Sequence, residues 1–361
     1  MKLPERARLA PLVVATGAML VTAAVAAALL RAGGYDPVLA GRALGAGALG
    51  SPAALLSVTF VRAVPLILTG LAVALAFRAG VWNIGAEGQL YAGAVAAVWV
   101  GLKGGVLPVW LLVPAVVGSA AAAGAAWALL PALMKLRLGV GEVITTLLMN
   151  FVGIHLAAYA VHGPLQEARG VFPQTDAIVD GARLPLLVPG TRLHVGFAAA
   201  VLLALALWAF FRHSRLGFRM RAVGAGPEAA RVAGRIDTRR VVLIAFLGSG
   251  AMAGIAGGVE VAGVTHALYE NLSPGWGYTA IAVALLAGLH PVAVIGTGLL
   301  FGALEGGAGA MQRVAGVPSA WVTAVEALII LSVLALDRLG RGGLVALASP
   351  PQAKTPEPDV V

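Results

Sequence analysis

Ala53-Ala54-Leu55-Leu56-Ser57-Val58-Thr59-Phe60-Val61-Arg62-Ala63-Val64-Pro65-Leu66-Ile67-Leu68-Thr69-Gly70-Leu71-Ala72-Val73-Ala74-Leu75-Ala76-Phe77 carries one ionisable side chain, Arg62, and is otherwise apolar apart from two threonines and a serine. A helix needs about twenty such residues to cross a hydrocarbon core roughly 30 Å thick, so the stretch reads as a membrane span. The same pattern repeats along the chain. Apolar blocks at 10–30, 53–77, 88–102, 107–134, 141–162, 194–211, 241–263, 278–289, 292–305 and 319–336 are separated by charged, Pro-rich or Gly-rich breaks. The expectation is an all-α, polytopic transmembrane helical bundle of about 10 helices. The third, eighth and ninth blocks are short and rich in glycine and are expected to be broken or re-entrant.

Composition agrees. Of 361 residues, 60% are hydrophobic and only 11% charged, and the mean hydropathy is +0.92. That is too little charge to cover a water-soluble surface. A pI near 10.6 would suggest a nucleic-acid partner in a soluble protein. Here most Lys and Arg flank apolar blocks, so the charge reads as positive-inside bias and no nucleic acid is expected. With the N-terminus taken as cytoplasmic, most of the 25 Lys and Arg fall inside. Both termini and segment 212–240 are then cytoplasmic, and 163–193 faces the exterior. The basic start and the run to Leu30 have the outline of a signal peptide, but the run exceeds a signal's usual apolar length and further spans follow, so no cleavage is expected. No cysteine is present, which excludes disulfides and thiolate chemistry.

Two glycine ladders, Gly250, Gly254, Gly258 and Gly298, Gly302, Gly306, are read as close helix packing within one bundle, with a dimer contact as the alternative. No soluble domain can be carved out. The Pro-rich, polar tail 339–361 reads as a disordered cytoplasmic end.

No G-x-x-x-x-G-K-[ST] motif occurs, so any ATPase is a partner, and neither a zinc-protease motif nor a Ser-His-Asp spacing stands out. Two stretches carry the chemistry. In the cytoplasmic segment, Gly226 suits an N-cap, Pro227 the first helical position, Glu228 the positive helix end and Gly234 a left-handed stop. This predicts a two-turn helix, with Arg231 in its last turn and Arg219 and Arg221 upstream. So short a helix needs a partner groove to hold it; a solvated basic loop is the alternative. The other stretch, Phe77-Arg78-Ala79-Gly80-Val81-Trp82-Asn83-Ile84-Gly85-Ala86-Glu87-Gly88-Gln89, interrupts two apolar runs with unwinding glycines. Trp82, Asn83, Glu87 and Gln89, with Asn150 inside its own span, form the candidate solute pathway; an interfacial turn is the alternative for the first four. Arg62, Glu142, Glu260, Glu305 and Glu326 are ionisable groups inside or near spans, where each needs a partner or water.

The run Ala79-Gly80-Val81-Trp82-Asn83-Ile84-Gly85-Ala86-Glu87-Gly88-Gln89, the later Gly141-Glu142-Val143-Ile144-Thr145-Thr146-Leu147-Leu148-Met149-Asn150-Phe151 and the cytoplasmic Gly217-Phe218-Arg219-Met220-Arg221-Ala222-Val223-Gly224 together resemble the permeases of ABC importers of the branched-chain amino acid and simple-sugar superfamily, nearest the nucleoside branch. Gly248–Gly258 and Gly275–Leu286 fit as well. The resemblance runs from about residue 50 to 338. It implies a single permease domain over 1–338 with 212–240 as its ATPase-contacting segment, in the cytoplasmic membrane of a prokaryote. The implied partners are two ABC ATPase subunits, a second permease subunit, identical or homologous, and an extracytoplasmic substrate-binding lipoprotein. ATP and Mg would sit on the ATPase, leaving no cofactor in this chain. The implied cargo is a small polar solute, a nucleoside ahead of a simple sugar. An ion-coupled secondary transporter using Glu87, Glu142 or Glu260 is the rival from another class; it should show an inverted repeat, which is not evident.

Overall fold

The computed structural model describes residues 5–104, 107–329, 331, 332 and 335; the tail 339–361 lies outside them. Among the described residues the regular structure is helical, with two isolated β-bridges, Gln174 to Tyr269 and Leu186 to His194. The helices are α1 (Glu5–Ala32), α2 (Pro37–Leu49), α3 (Pro52–Arg78), α4 (Ala86–Leu102), α5 (Val109–Leu138), α6 (Glu142–His162), α7 (Gly196–His213), α8 (Arg215–Ala225), α9 (Pro227–Gly234), α10 (Thr238–Thr265), α11 (Trp276–Leu286), α12 (Pro291–Ala315) and α13 (Ala320–Ile329).

Among the described residues six of these, α3, α5, α6, α7, α10 and α12, are long and apolar enough to cross a membrane, against ten apolar blocks read over the whole chain. The eighth block is the short α11, as read. The ninth is instead the opening of α12, which runs through its glycines for 25 residues. Close packing supports those glycines where isolated helix propensity would not. Two helices were missed: α2, capped by Asp36 with Pro37 in its first turn, and α8, capped by Ser214.

Burial separates the centre of the bundle from its rim. In α3 every side chain from Ala63 to Ala76 is buried. In α5 the buried positions are Leu112, Val116, Ala120, Gly124, Ala128, Pro131 and Ala132, and in α7 they are Gly196, Ala200, Ala204, Leu207 and Phe211. Positions spaced by about four share one helix face, so α5 and α7 turn a single stripe inward and their remaining apolar residues toward lipid. Such a rim has no hydrophobic drive to associate in lipid; small residues and close backbone approach hold it.

Both glycine ladders serve contacts within the chain. A β-carbon on Gly254 would strike the Ala120 carbonyl, one on Gly124 the Gly250 carbonyl, and one on Gly257 the Leu90 carbonyl, so α10 lies backbone to backbone between α4 and α5. On α12, Gly298, Gly302 and Gly306 abut Ile67, Ala63 and Val58 of α3.

The connection 163–195 folds over one end of α10. Ile178 N donates to His266 O at 2.8 Å, Leu184 N to Ala262 O at 2.8 Å, and Thr175 N to Leu268 O at 3.0 Å. His194, fully buried, accepts from Gly196 N at Nδ1 (3.2 Å), while its Nε2 has no partner. Burial, with nearby His266 and Arg192, holds the His194 imidazole down to about 4. The folded protein therefore favours the neutral ring, and this stability is present above about pH 6.5 and lost as pH falls toward 4. The unfolding midpoint should drop over that window. His194→Asn, which keeps an acceptor for Gly196 N, should flatten the drop; parallel curves for the two proteins would remove His194 as the cause.

Candidate functional site

Helix α3 ends at Arg78, and the chain stays unwound until α4 begins at Ala86. Gly80 takes a left-handed φ of 73°, and Val81 N closes the α3 terminus on Ala76 O at 3.0 Å. An unwound backbone inside a bundle must find partners for its peptide groups, and here Asn83 and Asn150 supply them. Asn83 Oδ1 accepts from Gly85 N (3.0 Å) and from Gln89 Nε2 (3.1 Å); its Nδ2 donates to Gln89 Oε1 (3.1 Å) and to Ser249 Oγ of α10 (2.9 Å). Asn150 Oδ1 accepts from Gly88 N (2.8 Å), and its Nδ2 donates to Ile84 O (2.9 Å). Thr146 Oγ1 accepts from Ile84 N at 3.2 Å. Asn83, Gln89, Asn150, Thr146 and Ser249 are all buried. The pathway candidates Asn83 and Gln89 are thus bonded to each other, while Asn150 clamps the backbone at Ile84 and Gly88, and the two sets together splint the break.

Glu87 faces the other way. Its Oε2 accepts from Gly277 N at 2.6 Å, in the first turn of α11. Trp276 Nε1 donates to Glu305 Oε2 at 2.9 Å, and a β-carbon on Gly277 would strike the Glu87 backbone nitrogen. The N-termini of two short helices, α4 and α11, therefore meet with the Glu87 side chain between them, and its Oε2 takes up a first-turn N–H of α11. Trp82 stands apart, 53% exposed and tilted on Phe77 with ring centroids 4.7 Å apart.

Beside this junction lies a cavity of about 840 Å³, lined in part by Arg62, Glu260, Tyr269, Asn271, Ser273 and Trp276. Its floor is the start of α11, and its wall includes the end of α10, where Val261–Thr265 forms a π-turn. Arg62 opens into this cavity, and none of the four ion pairs among the described residues includes it. Glu142 has a structural partner, Lys135 Nζ at 2.5 Å. Sequence reasoning flagged Arg62, Glu260 and Glu305 singly. It missed Tyr269, Asn271 and Ser273, whose short polar run follows the α10 π-turn and carries no motif of its own.

At the opposite end, Gly226 is the extended N-cap of α9 and Pro227 its first residue, as the sequence predicts. The left-handed stop falls on Arg235 (φ 47°), while Gly234 remains helical. Glu228 Oε2 pairs with Arg231 Nη2 at 2.8 Å on an exposed surface. Ala230 packs inward, whereas Val232 and, on α8, Phe218 are 75% and 60% exposed. Arg219 and Arg221 are exposed on α8. Gly224 of α8 meets the break itself, since its β-carbon would strike the Arg78 carbonyl and Gly80 approaches its Cα. Segment 212–235 is therefore in backbone contact with the residues that lead into Asn83.

Residues 55–334 match the family described as the permease component of the branched-chain amino acid transport system. The chain belongs to this permease family. The permease is 41% identical over 277 residues to the guanosine ABC transporter permease NupP of Bacillus subtilis, covering 74% of this chain and 78% of that relative. It is 42% identical over 286 residues to a glucose ABC transporter permease of Haloferax volcanii, covering 76% and 75%. Identity to the nucleoside ABC transporter permease NupB of Lactococcus lactis is 32% over 313 residues, covering 84% and 85%. No solved structure matches the permease. Its matched region contains the splinted break, the Glu87 junction and the cavity beside them, together with the exposed α8–α9 surface.

Proposed function

We propose that this multi-pass permease forms the translocation path of a binding-protein-dependent ABC importer for an uncharged polar solute, most specifically a nucleoside. The observation that carries this reading is the Glu87 junction. Two convergent helix N-termini would ordinarily attract an anion such as a substrate carboxylate, but here the chain's own carboxylate occupies that place. A neutral solute fits such a site better than an amino acid. The adjoining cavity offers Tyr269 as an aromatic face for a base, with Asn271 and Ser273 as hydrogen-bonding groups. Two of the relatives are guanosine and nucleoside permeases, and the glucose relative supports a simple sugar as the second reading.

In this mechanism a pair of ATPase subunits, carrying ATP and Mg²⁺, grips α9 from the cytoplasm. Closure of that pair moves α8 and α9 together, and the Gly80–Gly224 contact passes the movement to the break between α3 and α4. Asn83, Gln89 and Asn150 keep the break rigid enough to swing as a unit, opening and closing the path beside Glu87. A second permease subunit completes the path, and a substrate-binding lipoprotein delivers the solute at the exterior. Weak binding in the path is sufficient and speeds release.

The test is purification of the tagged permease from native membranes, with co-purifying proteins identified and solute uptake measured. A P-loop ATPase and a binding lipoprotein should co-purify, and unlabelled guanosine should compete for uptake where glucose does not. Competition by glucose alone would move the assignment to a sugar. Glu228→Lys combined with Arg231→Glu should abolish uptake while the protein stays inserted, because the charges presented to the ATPase are reversed. Normal uptake in that variant would sink the docking role of α9.

A further inference from the structure

We propose that the cavity between the ends of α3 and α7 and the start of α12 is a binding site for the phosphate of an anionic membrane lipid. The cavity measures about 620 Å³ and is lined by Arg78, Arg212 and Arg221 together with His213 and His290, with no carboxylate among its lining residues. None of these five groups takes part in an ion pair among the described residues. Gathering three guanidinium groups without a counter-charge is unfavourable, and an anion relieves it.

The cavity is built rather than accidental. The Arg78 guanidinium sits over the Phe211 ring at 5.1 Å and that of Arg212 over Trp208 at 6.0 Å. These cation–π contacts hold both groups in place and leave N–H donors for an oxyanion, the geometry in which arginine binds phosphate well.

Depth selects lipid over a free ion. Arg78 is the last residue of the α3 span, and Arg212 and His213 close the α7 span. The cavity therefore lies where apolar helix gives way to water, at the level of lipid headgroups. Trp208, partly exposed there, occupies the position that interfacial tryptophans favour. Trp208 and Phe211 give the site an apolar side for the glycerol and upper acyl region, which inorganic phosphate would not use. Because Arg78 and Arg221 flank the Gly80–Gly224 contact in sequence, lipid bound here would also brace the junction between α3 and α8.

The test uses the full-length protein, delipidated in neutral detergent, with its unfolding midpoint followed during titration. Phosphatidylglycerol in mixed micelles should raise the midpoint by several degrees, while phosphatidylcholine and inorganic phosphate should not. Arg78→Gln and Arg212→Gln should each weaken the phosphatidylglycerol response about fivefold. Arg212 is exposed, so its variant carries the test if Arg78→Gln does not fold. An equal shift with inorganic phosphate would assign the cavity to a free anion and overturn the lipid. An equal shift with phosphatidylcholine, or an unchanged phosphatidylglycerol response in the folded variants, would overturn the site.

Discussion

Gly254→Val should leave little folded protein in the membrane. A β-carbon at residue 254 lands on the Ala120 carbonyl of α5, and it also comes within 3.0 Å of Gly124 Cα on the same helix. No flexible side chain is available to give way, so α10 must separate from the backbone of α5. Overpacking a well-filled core costs about 1–3 kcal/mol when side chains can adjust. With backbone as the obstacle the cost should reach at least the upper end, which for a chain of 361 residues is a fall of about 4 °C or more in unfolding midpoint. Gly118→Val is the matched control, because a β-carbon there meets nothing within 4 Å. Size-exclusion profiles of fluorescently tagged protein would compare the two. Equal monodisperse yields would show that α10 can move away from α5, and the backbone-to-backbone packing of those two helices would be wrong.

The second large effect is expected at Asn150. Leucine there leaves Gly88 N and Ile84 O without their partners, inside a region where water does not replace them. Each orphaned group costs about 1–3 kcal/mol, so a loss of about 2–6 kcal/mol is expected, together with loss of uptake. Asn150→Asp, which keeps the acceptor for Gly88 N and loses the donor to Ile84 O, should fall between. Asn83→Leu should behave like Asn150→Leu, since it strands Gly85 N and breaks the contacts to Gln89 and Ser249. Unfolding midpoint and uptake, measured on the same preparations, separate two roles. Lost uptake at a normal midpoint would mean that Asn150 meets the solute directly, and a normal result on both would remove it from the network.

These two sites also show the reach of sequence reasoning here. The helical, membrane-spanning character follows from apolar blocks of about twenty residues, because hydrocarbon thickness imposes that length on any chain. The interruption at 79–89 and the Pro227 helix were equally legible, since glycine, proline and capping residues act through local backbone geometry. The ladders on α10 and α12 signalled close packing, although not the helices they would meet.

Local properties could therefore be read from the residues: which segments are apolar, where the backbone can unwind, and which polar groups inside the bundle would need partners. The identity of those partners came only with the folded chain. Asn83 meets Ser249 across 166 positions and Glu87 meets Gly277 across 190, and no periodicity in either segment encodes those distances. The physical reason is that a buried amide or carboxylate must be satisfied by some group, while the choice among the groups available is made by how helices cross, and the crossing is set by where glycine lets one backbone lie against another.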